Sequence, residues 1–569
     1  MSRAARALSS IQSLLPGRDD YVLTKRTWRF DLVAGLTVGI VALPLALAFG
    51  VSSGVGAEAG LITAIIAGLV AAIFGGSNIQ VSGPTGAMVV VLAPIVVDFG
   101  VQYVATVAVI AGALVCVAGF LRLGRTIGFV PWPVIEGFTA GIGIIIFLQQ
   151  FPSALGVDPS GHSTNAVIAA WQSVTEADWP RALVPLAVAG AVGAVMALLT
   201  RLRPGLPASF LALAIVSVVV AVATIPVAQI GTLPSKLPAP SLPTFDLSTV
   251  TRLLPAAGAV AVLAAIESLL SARVAASISD TGPYDPDREL VGQGLASVAA
   301  GFFGGMPATG AIARTAVNVR AGGRTRLAAI THSLVLLAVV YLFAGLVSNI
   351  ALSALAGVLM MTAAKMVSPQ MIRSVMRASK SDALIFLTTA IITVSVDLII
   401  AVGIGIAVAG ILALRTLSNN SGVHRERLPG DHEPGDEFIA LFRIDGSLFF
   451  AAADKIMAEI QGAGQAVTSG IGKELPAEIT TPGAQPSVVI LRLSQLQGLD
   501  STGAHGLSEL ITTLERNGVT VLIKGIRREH LGLMQHLGVI GALRDANHLF
   551  TSLPESVAHA RSHIQRAAN

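Results

Sequence analysis

From Asp31 onward the chain repeats one pattern: an apolar run, a short break of Gly, Pro or charge, then another apolar run. A helix needs about 20 residues to cross the hydrocarbon of a bilayer. Measured that way, the pattern predicts segments at 31–50, 57–75, 84–98, 101–120, 129–150, 182–200 and 208–226. A second set follows at 256–277, 289–304, 308–320, 326–347, 350–366, 382–398 and 399–417. The third and tenth of these are short and interrupted. One contains Gln80-Val81-Ser82-Gly83-Pro84-Thr85-Gly86-Ala87; the other runs from Gly304 to Asn318 with Pro307, Gly310 and an isolated Arg314. They hold the same place in each half of a seven-plus-seven count, the arrangement that points to a transporter binding site. Lipid tolerates neither irregular backbone nor a lone arginine unless protein or a wet cavity shields them.

Beyond Leu417 the pattern changes. Ser418 to Glu437 reads as a polar linker. Phe438–Ile444 alternates like a strand, Ala451–Gln461 reads as a helix and Gln465–Ser487 as a loop. Val488–Leu493 is a strand, Ser501–Asn517 a helix, Val519–Lys524 a strand, and helical periods return at Arg527–Leu537 and Pro554–Arg566. Such alternation predicts a small α/β domain behind an all-α polytopic membrane domain.

Composition agrees. The 569 residues are 53% hydrophobic and 12% charged, with a mean hydropathy of +0.75, against about 25% charge in soluble proteins. The single cysteine, Cys116, excludes a disulfide framework. A pI of about 9.4 raises the question of nucleic acid, but the basic residues are distributed as a membrane topology requires. Arg3, Arg6, Arg18, Lys25, Arg26 and Arg29 precede the first segment with no apolar core, so no cleavable leader is expected. With the N-terminus in the cytoplasm, Arg122, Arg125, Arg201, Arg203, Arg273, Arg288, Arg320, Arg324, Arg326, Lys365, Arg373, Arg377, Lys380 and Arg415 also fall inside. Only Arg181, Lys236 and Arg252 fall outside, the asymmetry expected of a polytopic protein with cytoplasmic termini. An odd number of crossings per half makes the halves inverted repeats.

The expected organisation is therefore a cytoplasmic segment over 1–30, a first transmembrane repeat over 31–226 and an extracellular linker over 227–255. A second repeat spans 256–418, a linker 419–437, and the soluble domain 438–569.

Chemistry concentrates at the broken segments. Arg314 supplies a fixed charge with several donors for an oxyanion, and Glu267, near the middle of the eighth segment, is an acid expected to face it and to take up and release a proton in each cycle. If helices open at Thr85 and Ala311, their free N–H groups and dipoles favour an anion. Thr85, Thr309 and Ser271 add hydroxyls. Asp31, Glu58, Asp98 and Asp397 fall at segment ends, where interfacial solvation accounts for them. Glu136 sits near the cytoplasmic start of the fifth segment, and His332 reads as a satisfied helix residue. No Walker motif, metal-spaced His/Cys set or nucleophile elbow is present, so neither ATP hydrolysis, other enzyme activity, a metal nor a cofactor is expected. In the soluble domain Asp500 caps a helix and leaves Ser501 and Thr502 at its N-terminus, where a phosphate would be favoured.

These motifs resemble the SulP anion transporters (sulfate permeases, solute carrier family 26) over nearly the whole chain. Asp31 through Pro44 is similar to that family's first helix, Val81–Thr85 to its third, and Gly305–Asn318 to its tenth. Gly446–Ala451 and Asp500–Gly503 resemble a STAS domain, similar to anti-sigma factor antagonists. The resemblance implies a fourteen-helix inverted repeat with core and gate domains, and a homodimer with cytoplasmic STAS domains that contact each other or cytoplasmic proteins. It implies an anion held by Thr85, Gly86 and Ala87 on one wall and by Thr309, Gly310, Ala311, Ile312, Ala313 and Arg314 on the other. Ser271 and Pro44 stand in support, and Glu267 matches the acid associated with proton coupling. Ser501 or Thr502 falls on the position phosphorylated in the antagonists. Leu43-Pro44-Leu45 departs from the Leu-Pro-Gln of many sulfate-type members. Ile266–Leu270, Glu289–Leu295 and Ala311–Arg314 are closer to the bacterial C4-dicarboxylate branch. Sodium-coupled bicarbonate relatives carry aspartate at position 267 and usually lack the arginine.

The expected function is proton-coupled symport of sulfate, a related inorganic anion or a C4-dicarboxylate across the bacterial inner membrane, by alternating access. The alternatives are a bicarbonate transporter, an anion exchanger or an uncoupled anion channel of the same fold. The partners are a small anion, protons and lipid, with no nucleic acid.

Overall fold

The structure is a computed structural model; it describes residues 14, 16, 17, 21, 28–125, 130–158, 162–203, 205–395, 398–419, 422–448 and 487–568. Two compact units divide the chain, Met1–Ala407 and Val408–Asn569.

The first unit is helical apart from two two-residue strands, β1 (Ser82–Gly83) and β2 (Thr309–Gly310). Its helices are α1 (Trp28–Ser52), α2 (Ala57–Phe74), α3 (Gly86–Phe99), α4 (Val104–Phe120), α5 (Trp132–Gln149), α6 (Phe151–Leu155), α7 (Ala166–Glu176), α8 (Leu183–Leu202) and α9 (Ala208–Val222). There follow α10 (Leu247–Ser277), α11 (Pro286–Phe302), α12 (Ile312–Arg320), α13 (Arg326–Ser348), α14 (Leu352–Met366), α15 (Pro369–Ala378), α16 (Lys380–Ser395) and α17 (Leu398–Asn419), the last running past the division. Every apolar stretch read from the sequence overlaps one of these helices. Among the described residues, eight helices are long and apolar enough to cross a membrane. Between helices, small residues permit backbone contact. A Cβ on Gly112 of α4 would lie 2.6 Å from the Gly294 carbonyl of α11, so only glycine admits this approach.

Several boundaries differ from the expected ones. α10 starts at Leu247 rather than near 256, because Asp246 accepts the Thr249 N–H at 3.3 Å and caps a polar first turn that hydropathy does not register. The last part of the expected linker 227–255 is therefore helix. α7, capped by Asn165, and α15 lie in stretches read as connections. Asp31 is not solvated at an interface. It is fully buried and accepts from the Arg324 and Thr325 backbone N–H groups (2.7 and 3.0 Å) and the Thr325 hydroxyl (2.8 Å), tying α1 to the start of α13.

The second unit is an α/β layer structure. Its strands are β3 (Gly422–Glu426), β4 (Ile439–Leu448), β5 (Val488–Arg492), β6 (Leu496–Leu499), β7 (Thr520–Lys524) and β8 (Leu549–Phe550). Its helices are α18 (Ser501–Arg516), α19 (Arg528–His536) and α20 (Leu553–Ala568). The order is β3-β4-β5-β7-β8, antiparallel between β3 and β4 and parallel thereafter, with β6 pairing to β4. Alternation along β4 divides the core between two faces. Ala440, Phe442 and Ile444 pack with Leu507 and Ile511 of α18, while Ile439 and Leu441 pack with Val557 and Ala560 of α20. β3 lies inside the stretch read as a linker. Glu426 holds it there by accepting from Arg443 (2.7 Å) and Arg492 (2.8 Å), which face each other across β4 and β5. The helix expected at 451–461, most of the 465–487 loop, Asp397 and the basic residues of 3–26 fall outside the described residues.

Candidate functional site

The two broken segments meet. Ser82–Gly83 (β1) pairs antiparallel with Thr309–Gly310 (β2), Ser82 opposite Gly310 and Gly83 opposite Thr309. Each two-residue strand leads into a helix, α3 after Thr85 and α12 after Ala311, and neither helix is capped by a side chain. Alanine has no capping oxygen, and the Thr85 hydroxyl is directed to Glu267. The first-turn N–H groups of Gly86, Ala87, Ile312 and Ala313 therefore lack the usual cap. Gly86 and Ala87 are buried, Ile312 is half-buried and Ala313 is exposed.

Glu267 stands on α10, half-buried. Its Oε2 accepts from the Thr85 and Thr309 hydroxyls, each at 2.8 Å, and those two oxygens are 3.0 Å apart. Arg314 is 2% exposed. It does not form the direct pair with Glu267 that the sequence suggests, since no nitrogen–oxygen approach within 4.0 Å joins them. Instead its Nη2 donates to the Pro84 carbonyl at 2.6 Å, while Nη1 is buried without a hydrogen-bond partner. The hydroxyls occupy the carboxylate, and the strand end holds the guanidinium. Gly83, at φ +152°, makes this possible: a Cβ there would lie 2.7 Å from Nη1.

A surrounding layer was missed by sequence reasoning. Gly310 N–H donates to the Ser268 hydroxyl (3.1 Å), Gln80 donates to the Ser268 carbonyl (3.3 Å), and Val81 N–H donates to the Thr315 hydroxyl (3.0 Å). Asn318 donates to the Ile79 carbonyl at 2.7 Å, and Gln293 bonds both Ser82 and Glu289. The available signal was polar residues spaced by three or four inside apolar helices: Glu267, Ser268 and Ser271, then Thr315 and Asn318.

Of the remaining expected residues, Ser271 is buried and contacts Thr315 at 3.4 Å. Pro44 is buried inside α1. Glu58 and Asp98 are exposed near helix ends, and Glu136 is half-buried on α5. His332 is buried, and neither ring nitrogen makes a well-formed hydrogen bond, so it is not the satisfied residue expected. In the second unit Asp500 accepts the Gly503 N–H at 2.8 Å as an N-cap, leaving Ser501 and Thr502 exposed on α18. A cavity of about 750 Å³ is lined by Ser52, Pro94, Gln149, Ser163 and Ser353 among others, and does not extend to Thr85, Glu267 or Arg314.

Comparison with known proteins identifies the family. Residues 29–389 match the profile described as "Sulfate permease family", and residues 433–555 match the STAS domain. YvdB of Bacillus subtilis (strain 168), which carries a provisional sulfate-transporter name, is 33% identical over 90% of this chain and 93% of its own. The bicarbonate transporter BicA of Picosynechococcus is 31% identical over 84% and 89%. The solved transmembrane domain of a cyanobacterium BicA superposes with a TM-score of 0.61 at 33% identity, covering 67% of this chain and 99% of that one. Murine Slc26a9 in its inward-facing state shares the fold, with a TM-score of 0.82 at 17% identity over 99% of this chain and 95% of its own. The chain is a member of the sulfate permease family with a C-terminal STAS domain.

Proposed function

We propose that this protein is a secondary active transporter that moves a small anion across the bacterial inner membrane by alternating access, with Glu267 carrying a coupled proton. One observation carries the reading: Arg314 is buried with Nη1 unpaired, beside two uncapped helix N-termini. An unsatisfied buried donor costs about 1–3 kcal/mol, more when charged, and an anion at the crossing recovers that energy. Helix-start N–H groups and dipoles add to the attraction without demanding one anion shape.

Proton coupling follows from Glu267. As a carboxylate it accepts from Thr85 and Thr309 and repels an anion nearby. Protonation removes the repulsion and supplies an O–H donor, so anion and proton bind together and move in the same direction. Sulfate, related inorganic anions and C4-dicarboxylates all suit this chemistry. The likeness to BicA supports bicarbonate as a second reading. The charge distribution supports an inverted seven-plus-seven repeat with both termini in the cytoplasm, and the family likeness supports a homodimer. The 750 Å³ cavity borders loops assigned to the outside, as an external vestibule would.

The test is uptake of labelled sulfate, bicarbonate and succinate into proteoliposomes with and without an inward proton gradient. Stimulation by the gradient, lost in Glu267→Gln, is expected. Gradient-insensitive uptake of all three anions rules out the coupling, and currents far beyond carrier turnover identify a channel instead.

A further inference from the structure

His548, His559 and His563 gather within the second unit. His548 lies in the single turn before β8; it is 3% exposed and its Nδ1 has no hydrogen-bond partner. His559 and His563 stand one turn apart on α20, both half-buried. Their Nε2 atoms are 3.2 Å apart. Each of the three rings offers a nitrogen within 4.8 Å of the other two.

Ring packing alone does not account for this cluster. The two facing Nε2 atoms share one proton in a hydrogen bond, but the third ring buries an Nδ1 with no partner beside them. A cation held by all three rings accounts for their convergence. Metal–nitrogen bonds of about 2.0–2.1 Å at tetrahedral angles separate the nitrogens by about 3.3–3.4 Å, which the α20 pair already matches. Metal binding needs neutral imidazoles as ligands. The carboxylates of Glu515 and Asp545 face His548 favourably; Arg544 and Arg566 oppose, and Arg544 is engaged by Glu515 at 3.1 Å.

We propose that His548, His559 and His563 bind a first-row divalent transition cation, best fitted by Zn²⁺, with three imidazole nitrogens and a fourth position open to solvent. The proton between the two Nε2 atoms moves to a ring Nδ1 as the metal takes its place. The ion joins α20 to the turn before β8. Sequence spacing did not reveal the site, because His548 lies in another element from the His559/His563 pair.

The experiment titrates chelator-stripped full-length protein in detergent with Zn²⁺, and with Co²⁺ to read the visible absorption of a four-coordinate nitrogen site. A single equivalent at micromolar affinity or tighter is expected. Affinity should fall in His559→Gln and His563→Gln by more than the roughly 10–100-fold that losing an outer-shell partner costs. His548→Gln should behave likewise, while His424→Gln, outside the cluster, should bind as wild type. Thermal melts without metal check that the variants are folded. Unchanged affinity in the His559→Gln/His563→Gln double variant, or no binding at 0.1 mM Zn²⁺ by wild type, overturns the site.

Discussion

Gly83 and Arg314 constrain each other. A methyl group at position 83 would lie 2.7 Å from Nη1 in a backbone conformation that side chains rarely adopt. The far end of an arginine can move aside, so Gly83→Ala should cost only about 1–3 kcal/mol of stability from the strained backbone. Its larger effect should be on binding, because the guanidinium no longer sits where it did. Arg314→Ala removes the charge altogether. Losing a charge-assisted hydrogen bond costs about 1.5–3 kcal/mol, or on the order of 10–150-fold in anion affinity. Arg314→Lys should recover part of it, since a point charge lacks the planar fork. Equilibrium binding of each labelled anion to purified variants measures this; unchanged affinity in Arg314→Ala would place the anion elsewhere. Thr85→Val should act more mildly, removing one donor from Glu267 and altering gradient stimulation before affinity.

At the scale of elements, the crossing depends on supports outside it. β1 and β2 are two residues each, too short to hold themselves, and side chains from α10, α11 and α12 fix their ends. α12 is held from within, by Thr315 and Asn318 reaching the backbone at Val81 and Ile79. α13 is held at its start by Asp31. Asp31→Ala leaves two backbone N–H groups and a hydroxyl without their acceptor in a buried place. That should cost about 1–3 kcal/mol, visible as a lower melting temperature in detergent. A melt indistinguishable from wild type would show that water replaces the carboxylate.

At the scale of the whole molecule, the STAS unit joins its beginning and end through Arg561. The guanidinium donates from Nε and Nη2 to the two Asp436 oxygens, each at 2.8 Å, and also bonds Glu433. These hydrogen bonds from Arg561 hold the Asp436 carboxyl below the usual carboxylate range. A carboxyl whose folded value is depressed contributes stability that is present above its unfolded value, about 3.9, and is lost as pH falls through the folded one. Thermal melts of the full chain should therefore lose stability below about pH 4. Asp436→Asn should be less stable at neutral pH and show a shallower acid loss. An identical acid slope in the variant would assign that loss to other groups.

Hydropathy, periodicity and turn chemistry are local properties, and what depends on them was legible in the chain. They located the apolar helices, the two interruptions, the strands β4, β5 and β7, and the Asp500 cap. Partner choice is not local. Glu267 meets Thr85 across 182 positions and Thr85 meets Thr309 across 224, so only the folded chain could assign the carboxylate to two hydroxyls and leave Arg314 with Pro84. β3 was hidden by its polarity, because an edge strand held by a Glu426 ion pair carries no apolar alternation. The sequence by itself determined which segments form apolar helices and where the apolar pattern breaks. The tertiary structure alone decided which polar groups meet at the break, because their distances follow from packing.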